Sequence, residues 1–309
     1  MFRTFLLPVF ALLSALTAAA EEPKPPIPSA ATGTGHPFIC TDTTLGKVIR
    51  VSVEGKIEWE FLAPVCQDAW LLANGNYLFT NIRGAKEVTP DKKVVWEYNS
   101  PDKTEVHSCQ PLPDGSVLVA ECGTKRLVEV DREGKIKKEI KLDTKMQNTH
   151  MQVRVARKLA NGNYLVAQTG DRLAREYDGE GKTVRTIPVP GDVYCAVRLP
   201  NGNTLIGCGD GHKVIEVDAT DKVIWSIDEN ELPGIPLRFV AGLQRLPNGN
   251  TLVCNWGGHG HVGKQPLLFE VTPEKKVVWL FEDHKQFRTI SNGYLLDVKA
   301  DPAKGELLR

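Results

Sequence analysis

One seven-residue phrase recurs five times along the chain, and that recurrence limits the possible fold more than any other feature. It reads Leu-Ala-Asn-Gly-Asn-Tyr-Leu at 72–78 and 159–165, Leu-Pro-Asp-Gly-Ser-Val-Leu at 112–118, and Leu-Pro-Asn-Gly-Asn-Thr-Leu at 199–205 and 246–252. The Asn-Gly or Asp-Gly pair starts at 74, 114, 161, 201 and 248, so successive copies lie 40, 47, 40 and 47 residues apart. Such pairs take the positive φ angles of tight turns at little steric cost, so each joins two apolar strands in a hairpin. A second strand-turn-strand signal follows in every unit, at Glu87 to Trp96, Glu129 to Lys138, Glu176 to Arg185, Glu216 to Trp225 and Glu270 to Trp279. Each unit is thus four antiparallel strands that cannot bury both faces alone and must pack against its neighbours.

The two ends complement each other. Arg50 to Trp59 is a sixth copy of the second half with no first half before it, and Phe287 to Val298 resembles an innermost strand with nothing after it. Joined, they make one further blade. The expected fold is therefore all-β, a six-bladed β-propeller of four-stranded antiparallel blades, closed by one C-terminal strand and three N-terminal ones. Closure of the ring hides two sheet edges that would otherwise be exposed. An open solenoid or a sandwich of the same hairpins is the alternative, and no turn pair is present for a seventh blade.

Outside the repeats, residues 1–20 read as a signal peptide: Arg3, an apolar stretch from Phe5 to Leu16, and Ala18-Ala19-Ala20 as the cleavage site. That stretch, broken by Pro8 and Ser14, is too short for a transmembrane segment. Residues 21–35 hold four prolines and read as a disordered leader, leaving 36–309 as one propeller domain. Export to the periplasm or the exterior is expected. Lys plus Arg and Asp plus Glu are both 38, with no basic stretch, which excludes nucleic acid as a partner. A closed ring needs no second copy to cover its edges, so a monomer is expected.

The repeat phrase, followed by Glu-Val and a Lys-Val-Val-Trp ending, resembles the pyrroloquinoline-quinone-like propeller repeat and is also similar to bacterial arylsulfotransferase propellers. The likeness runs from His36 onward. The tryptophan that ends a blade is present as Trp59, Trp96, Trp225 and Trp279, with Lys138 and Arg185 in the other two blades. The arylsulfotransferase likeness implies a His-His-Asp run before the turn; here the matching stretches read Cys66-Gln67-Asp68 and Val106-His107-Ser108. Quinoproteins commonly carry a vicinal disulfide beside the quinone, and this chain has no Cys-Cys pair.

In such a ring the tight turns gather on one face, and the longer loops gather on the other with the blade-to-blade connections. Loops held by a rigid scaffold are where sites usually form, so the site is expected at the long-loop mouth of the central channel. The inner strands begin there, which points to Gln67, Asp68, His107, His150, Arg154, Tyr194 and Gln244 as lining residues. His107 and Arg154 are the catalytic candidates, because an imidazole beside a guanidinium can handle an anionic or sugar group. Gln67, Asp68, His150, Tyr194 and Gln244 are candidate ligand contacts. So are Trp256 and His259, in the loop Cys254 to Gly263 that breaks the repeat most strongly. That loop also holds His259-x-His261, whose spacing suits a metal only if His212 or a distant cysteine joins it. No metal ligands are assigned and no cofactor is predicted, with a quinone or a metal ion left open. Gly258-x-Gly260-x-x-Gly263 matches a dinucleotide fingerprint by letters alone, with no helix after it.

Seven cysteines include no CxxC and leave at least one thiol unpaired. If the turn at Asn201-Gly202 holds an even number of residues, Cys195 and Cys208 face each other; buried thiols are favoured over a disulfide there. The leading functional expectation is an exported binding propeller taking a small molecule, glycan or protein. An arylsulfotransferase-like or hydrolase-like enzyme in the same pocket is the second, and a quinoprotein oxidoreductase ranks after both.

Overall fold

The computed structural model describes residues 35–299 and 308–309; the expected signal peptide lies outside them, as does the leader apart from Gly35. The chain opens with β1 (Phe38–Asp42), β2 (Lys47–Val51) and β3 (Ile57–Leu62). Blade two is β4 (Ala69–Leu71), β5 (Tyr77–Asn81), β6 (Gly84–Val88) and β7 (Val94–Asn99), and blade three is β8 (Glu105–Pro111), β9 (Val117–Cys122), β10 (Arg126–Val130) and β11 (Ile136–Lys141). A 3-10 turn, Thr149–Met151, precedes blade four, which is β12 (Ala156–Lys158), β13 (Tyr164–Gln168), β14 (Leu173–Tyr177) and β15 (Thr183–Pro188). Blade five is β16 (Cys195–Arg198), β17 (Thr204–Gly207), β18 (Val214–Val217) and β19 (Val223–Ile227). Blade six is β20 (Val240–Arg245), β21 (Thr251–Asn255), β22 (Leu268–Val271) and β23 (Val277–Phe281), after which β24 (Ile290–Leu295) follows. The sheets are six, each of four antiparallel strands; the first blade runs β24-β1-β2-β3, with Phe38 opposite Leu295.

The repeated residues turn out to be the ties between blades. In the Asn-Gly-Asn turns the second Asn bonds a glutamate on the third strand of its own blade: Asn76 to Glu87, Asn163 to Glu176, Asn203 to Glu216 and Asn250 to Glu270. The same glutamates take a cation from the next blade, Arg132 on Glu87, Arg198 on Glu176, Arg245 on Glu216 and His36 on Glu270. Outer-strand tryptophans donate across the same joint, Trp59 to the Pro90 carbonyl, Trp96 to Asp131 and Trp225 to Pro273. Arg185 fills the tryptophan position in blade four and donates to the Asp218 carbonyl, so the substitution keeps the joint by other chemistry. A conserved kink accompanies it: in each blade the register shifts at the third-to-fourth strand turn, as between Glu87 and Val88.

Several of the sequence expectations need correction. Cys195 faces Gly207, not Cys208, because five residues, 199–203, separate the paired ends of β16 and β17. An odd count moves the pairing by one and turns the two thiols to opposite sides of the sheet. All seven cysteines are buried as free thiols. Burial pushes the Cys195 and Cys208 thiols up to about 12, so neither is a thiolate nucleophile at neutral pH.

Asp68, expected at the mouth, is instead sealed within the channel. Its carboxylate accepts from Arg157 Nη1 at 2.7 Å, Arg309 Nη2 at 2.7 Å, Asn292 Nδ2 at 3.2 Å and the Cys109 backbone at 3.2 Å. Asp68, just before blade two, thus joins blades one, three and four, and the guanidinium of Arg309 lies 3.9 Å over Trp70. Gln244, also fully buried, gives its Oε1 to the Leu295 N–H at 2.9 Å and ties β20 to β24. Both residues sit on inner strands or just before them, but deeper than the mouth; Asp68 is fully satisfied there by the protein, whereas the Gln244 Nε2 is buried without a partner among the described residues.

Candidate functional site

The long-loop mouth contains a cavity of about 210 Å³. Gln67, His150, Arg154, Tyr194, Trp256 and His259, all candidates from the sequence, line it. Thr43, Met151, Asp192, Asp210, Phe239 and Ser291 also contribute, and the lining as a whole comes from the loops and strand starts of five blades. No sequence pattern singled out Phe239 or Asp192, because neither belongs to a repeat phrase; only the ring brings them to one mouth.

Aromatic rings form one wall. Phe239 meets Tyr194 at 5.9 Å, Trp256 at 5.1 Å and His259 at 5.8 Å between centroids, all edge-on. Edge-to-face contacts suit the ring quadrupoles and hold the group in one arrangement. The loop 254–263 is pinned at both rings: Trp256 Nε1 donates to Thr43 Oγ1 at 3.1 Å, and His259 Nδ1 lies 3.1 Å from Asp210 Oδ1. Gly258 makes this packing possible, since a Cβ there would stand 1.8 Å from the Trp256 ring. Val65 on the rim has φ of 58°, a left-handed conformation that costs a β-branched residue about 1–3 kcal/mol.

Arg154 forms the polar wall. Its side chain is only 7% exposed, and among the described residues no carboxylate pairs with it. The Nη1 group donates to the His150 carbonyl and lies 3.0 Å from His107 Nδ1. Burial pulls its pKa down from the ordinary value, yet a guanidinium keeps its proton in proteins. Tyr194 presents its hydroxyl to Gln67 Oε1 at 3.4 Å, with its own acidity suppressed by burial.

His107 does not reach the cavity. It occupies the bulge of β8, where the register with β9 shifts between Val106 and Ser108, and its side chain is fully buried one layer below the mouth. There Nδ1 lies 2.8 Å from the Val153 carbonyl and Nε2 lies 3.0 Å from Glu105 Oε2. The same Glu105 oxygen is 2.8 Å from His150 Nδ1, so one carboxylate joins the buried imidazole to the half-exposed one on the wall. Burial and the Arg154 charge push His107 down to about 4, while the bonds from His107 and His150 hold Glu105 down to about 2. Glu105 was missed in the sequence, although an i, i+2 spacing to His107 on a strand puts both on one side.

Other distinctive loop residues have structural work. Asp42 accepts the Leu45 and Arg288 N–H groups, Asn255 bridges Arg238 and Pro236, and Glu121 is buried against Arg126 and Tyr98.

Comparison with known proteins agrees with this architecture. A crystal structure of a protein of unknown function from Bacteroides caccae is 30% identical, matches with a TM-score of 0.77, and covers 84% of this chain and 98% of its own. A streptogramin B lyase structure shares the fold at 13% identity and a TM-score of 0.58, covering 82% of this chain and 81% of its own. A catalytically inactive virginiamycin B lyase from Staphylococcus aureus, solved with quinupristin, does so at 12% identity and 0.57, covering 81% of this chain and 86% of its own. No curated protein matches the chain. The family model described as Mal s 1 allergenic protein-like matches residues 48–276, from β2 to the turn before β23, and the chain belongs to that family.

Proposed function

We propose that the protein is an exported binding propeller whose long-loop mouth holds a small organic anion with a planar or apolar body. One observation carries this reading: a buried guanidinium with no carboxylate partner among the described residues shares a cavity with Tyr194, Phe239 and Trp256. An unpaired buried charge costs stability, so a site that keeps one is set up for an anion from outside. The aromatic wall offers edges and faces to the rest of the molecule. Export rests on Arg3, the apolar stretch after it and the Ala-Ala-Ala site. Among the described residues no helix is long and apolar enough to cross a membrane.

Calorimetry and thermal shift with aryl sulfates, aryl phosphates and uronic acids test the reading. Arg154→Met should weaken the best ligand roughly 10–100-fold, the worth of a charged hydrogen bond. The same variant should melt at the same temperature as the native protein or higher, since it removes an unpaired buried charge. Equal affinity in Arg154→Met and Trp256→Ala would sink the proposal.

A second reading, an arylsulfotransferase-like or hydrolase-like enzyme in the same cavity, is favoured by the His150 to Glu105 bond at 2.8 Å, the geometry that orients a general base. It predicts turnover of an aryl ester that His150→Gln abolishes, whereas a binding site would lose only affinity.

A further inference from the structure

We propose that Glu105, His107 and His150 form a binding site for a late first-row divalent cation, zinc foremost. The inference does not depend on what the cavity holds. It starts from one carboxylate oxygen that two imidazoles share: Glu105 Oε2 lies 3.0 Å from His107 Nε2 and 2.8 Å from His150 Nδ1. The other nitrogen of His107 is taken up by the protein, since Nδ1 accepts from Arg154 Nη1 at 3.0 Å, so the ring turns Nε2 toward Glu105 and His150. A metal ion placed on the Glu105 side stands away from Arg154, whose Nη1 approaches the opposite nitrogen.

The remaining geometry suits a metal. The three ligand atoms lie within 4.8 Å of one another. Ligands around four-coordinate zinc at 2.0–2.1 Å stand about 3.3 Å apart, so the contacts at 3.0 and 2.8 Å need only open by a few tenths of an ångström. Two imidazole nitrogens and one carboxylate are the donors that borderline divalent ions prefer, and they leave a coordination position free. With a metal on Nε2 the ring proton moves to Nδ1, where the Val153 carbonyl at 2.8 Å can accept it while Arg154 Nη1 keeps its bond to the His150 carbonyl. The backbone beneath the ligands is held: the bulge in β8 sets His107, and the Asn148 side chain accepts the His150 N–H at the start of its turn. Glu105 and His150 are 26% and 47% exposed, which gives the ion a way in.

The test uses the mature protein stripped with a chelator and titrated with zinc chloride by calorimetry, then with cobalt(II) followed by its visible absorption. One equivalent of zinc should bind, and cobalt should give the bands of a low-coordinate site. His150→Ala and Glu105→Gln, checked for folding by circular dichroism, should each lose at least tenfold in affinity. His261→Ala should bind as the native protein does. Absence of zinc binding overturns the proposal, as does binding that survives His150→Ala and is lost in His261→Ala. None of these readouts involves the organic anion, so failure here leaves the reading of the cavity standing, and the converse holds.

Discussion

Gly258 shows how one residue can shape a recognition surface without touching a ligand. Its missing side chain is the space occupied by the Trp256 ring, so Gly258→Ala must displace one or the other. We expect that variant to break the Trp256 to Thr43 bond, shift the tryptophan emission to the red and weaken anion binding, with little change in melting temperature because the loop lies outside the blades. Unchanged emission and affinity would show that the loop does not need this packing. Arg154 behaves in the opposite sense, as a residue whose removal should cost binding and not stability.

At the scale of the element, the repeated Glu and Trp residues bond across the blade joints, and the repeated Asn braces each Glu within its own blade. Trp96 is buried, donates to the Asp131 carbonyl and carries Arg132 over its ring at 5.2 Å. Trp96→Phe should therefore cost about 1 kcal/mol, the net worth of one hydrogen bond, and Trp96→Ala about 3–5 kcal/mol, by urea denaturation. The joint between blades six and one carries a titratable tie instead. His36 Nε2 bonds Glu270 at 3.1 Å and its Nδ1 bonds Asp297 at 2.7 Å; Glu270 first, then Asp297, raise its pKa above the ordinary 6.5. A raised pKa stabilises the fold fully below 6.5, and the gain fades as pH climbs through the raised value. Glu270, held below its ordinary 4.5 chiefly by His36, contributes above 4.5 and loses that contribution as pH falls through its own lowered value. The stability gap between the native protein and His36→Gln should thus be widest between 4.5 and 6.5 and narrow in alkaline buffer. A gap that stays flat with pH would mean that the pair adds nothing.

For the whole molecule, the buried charge cluster in the channel matters most. Asp68 gathers Arg157, Arg309 and Asn292 from separate parts of the chain. Asp68→Ala would take from two buried guanidinium groups the carboxylate they share and should destabilise the ring by about 3–5 kcal/mol in a single cooperative transition. Two separated transitions in that variant would mean that the blades do not depend on the channel for their cooperation.

The blade count, the four strands per blade and the tie residues were legible in the chain because they repeat, and a repeat exposes the positions on which every copy depends. Gln67, His150, Arg154 and Tyr194 could be placed at the mouth for the same reason, since the start of each inner strand follows from the turn phrase, and Trp256 and His259 because their loop is the strongest break in the repeat. Depth within the channel was not legible. Asp68 follows Gln67 by one residue, yet the first is sealed among arginines and the second lines the cavity. A bulge put His107 one layer below Arg154, and an odd loop of five residues separated Cys195 from Cys208. Sequence periodicity determines which way a side chain points within a blade. Only the closed ring, packing six inner strands around one axis, decides which of those side chains meet each other and which meet solvent.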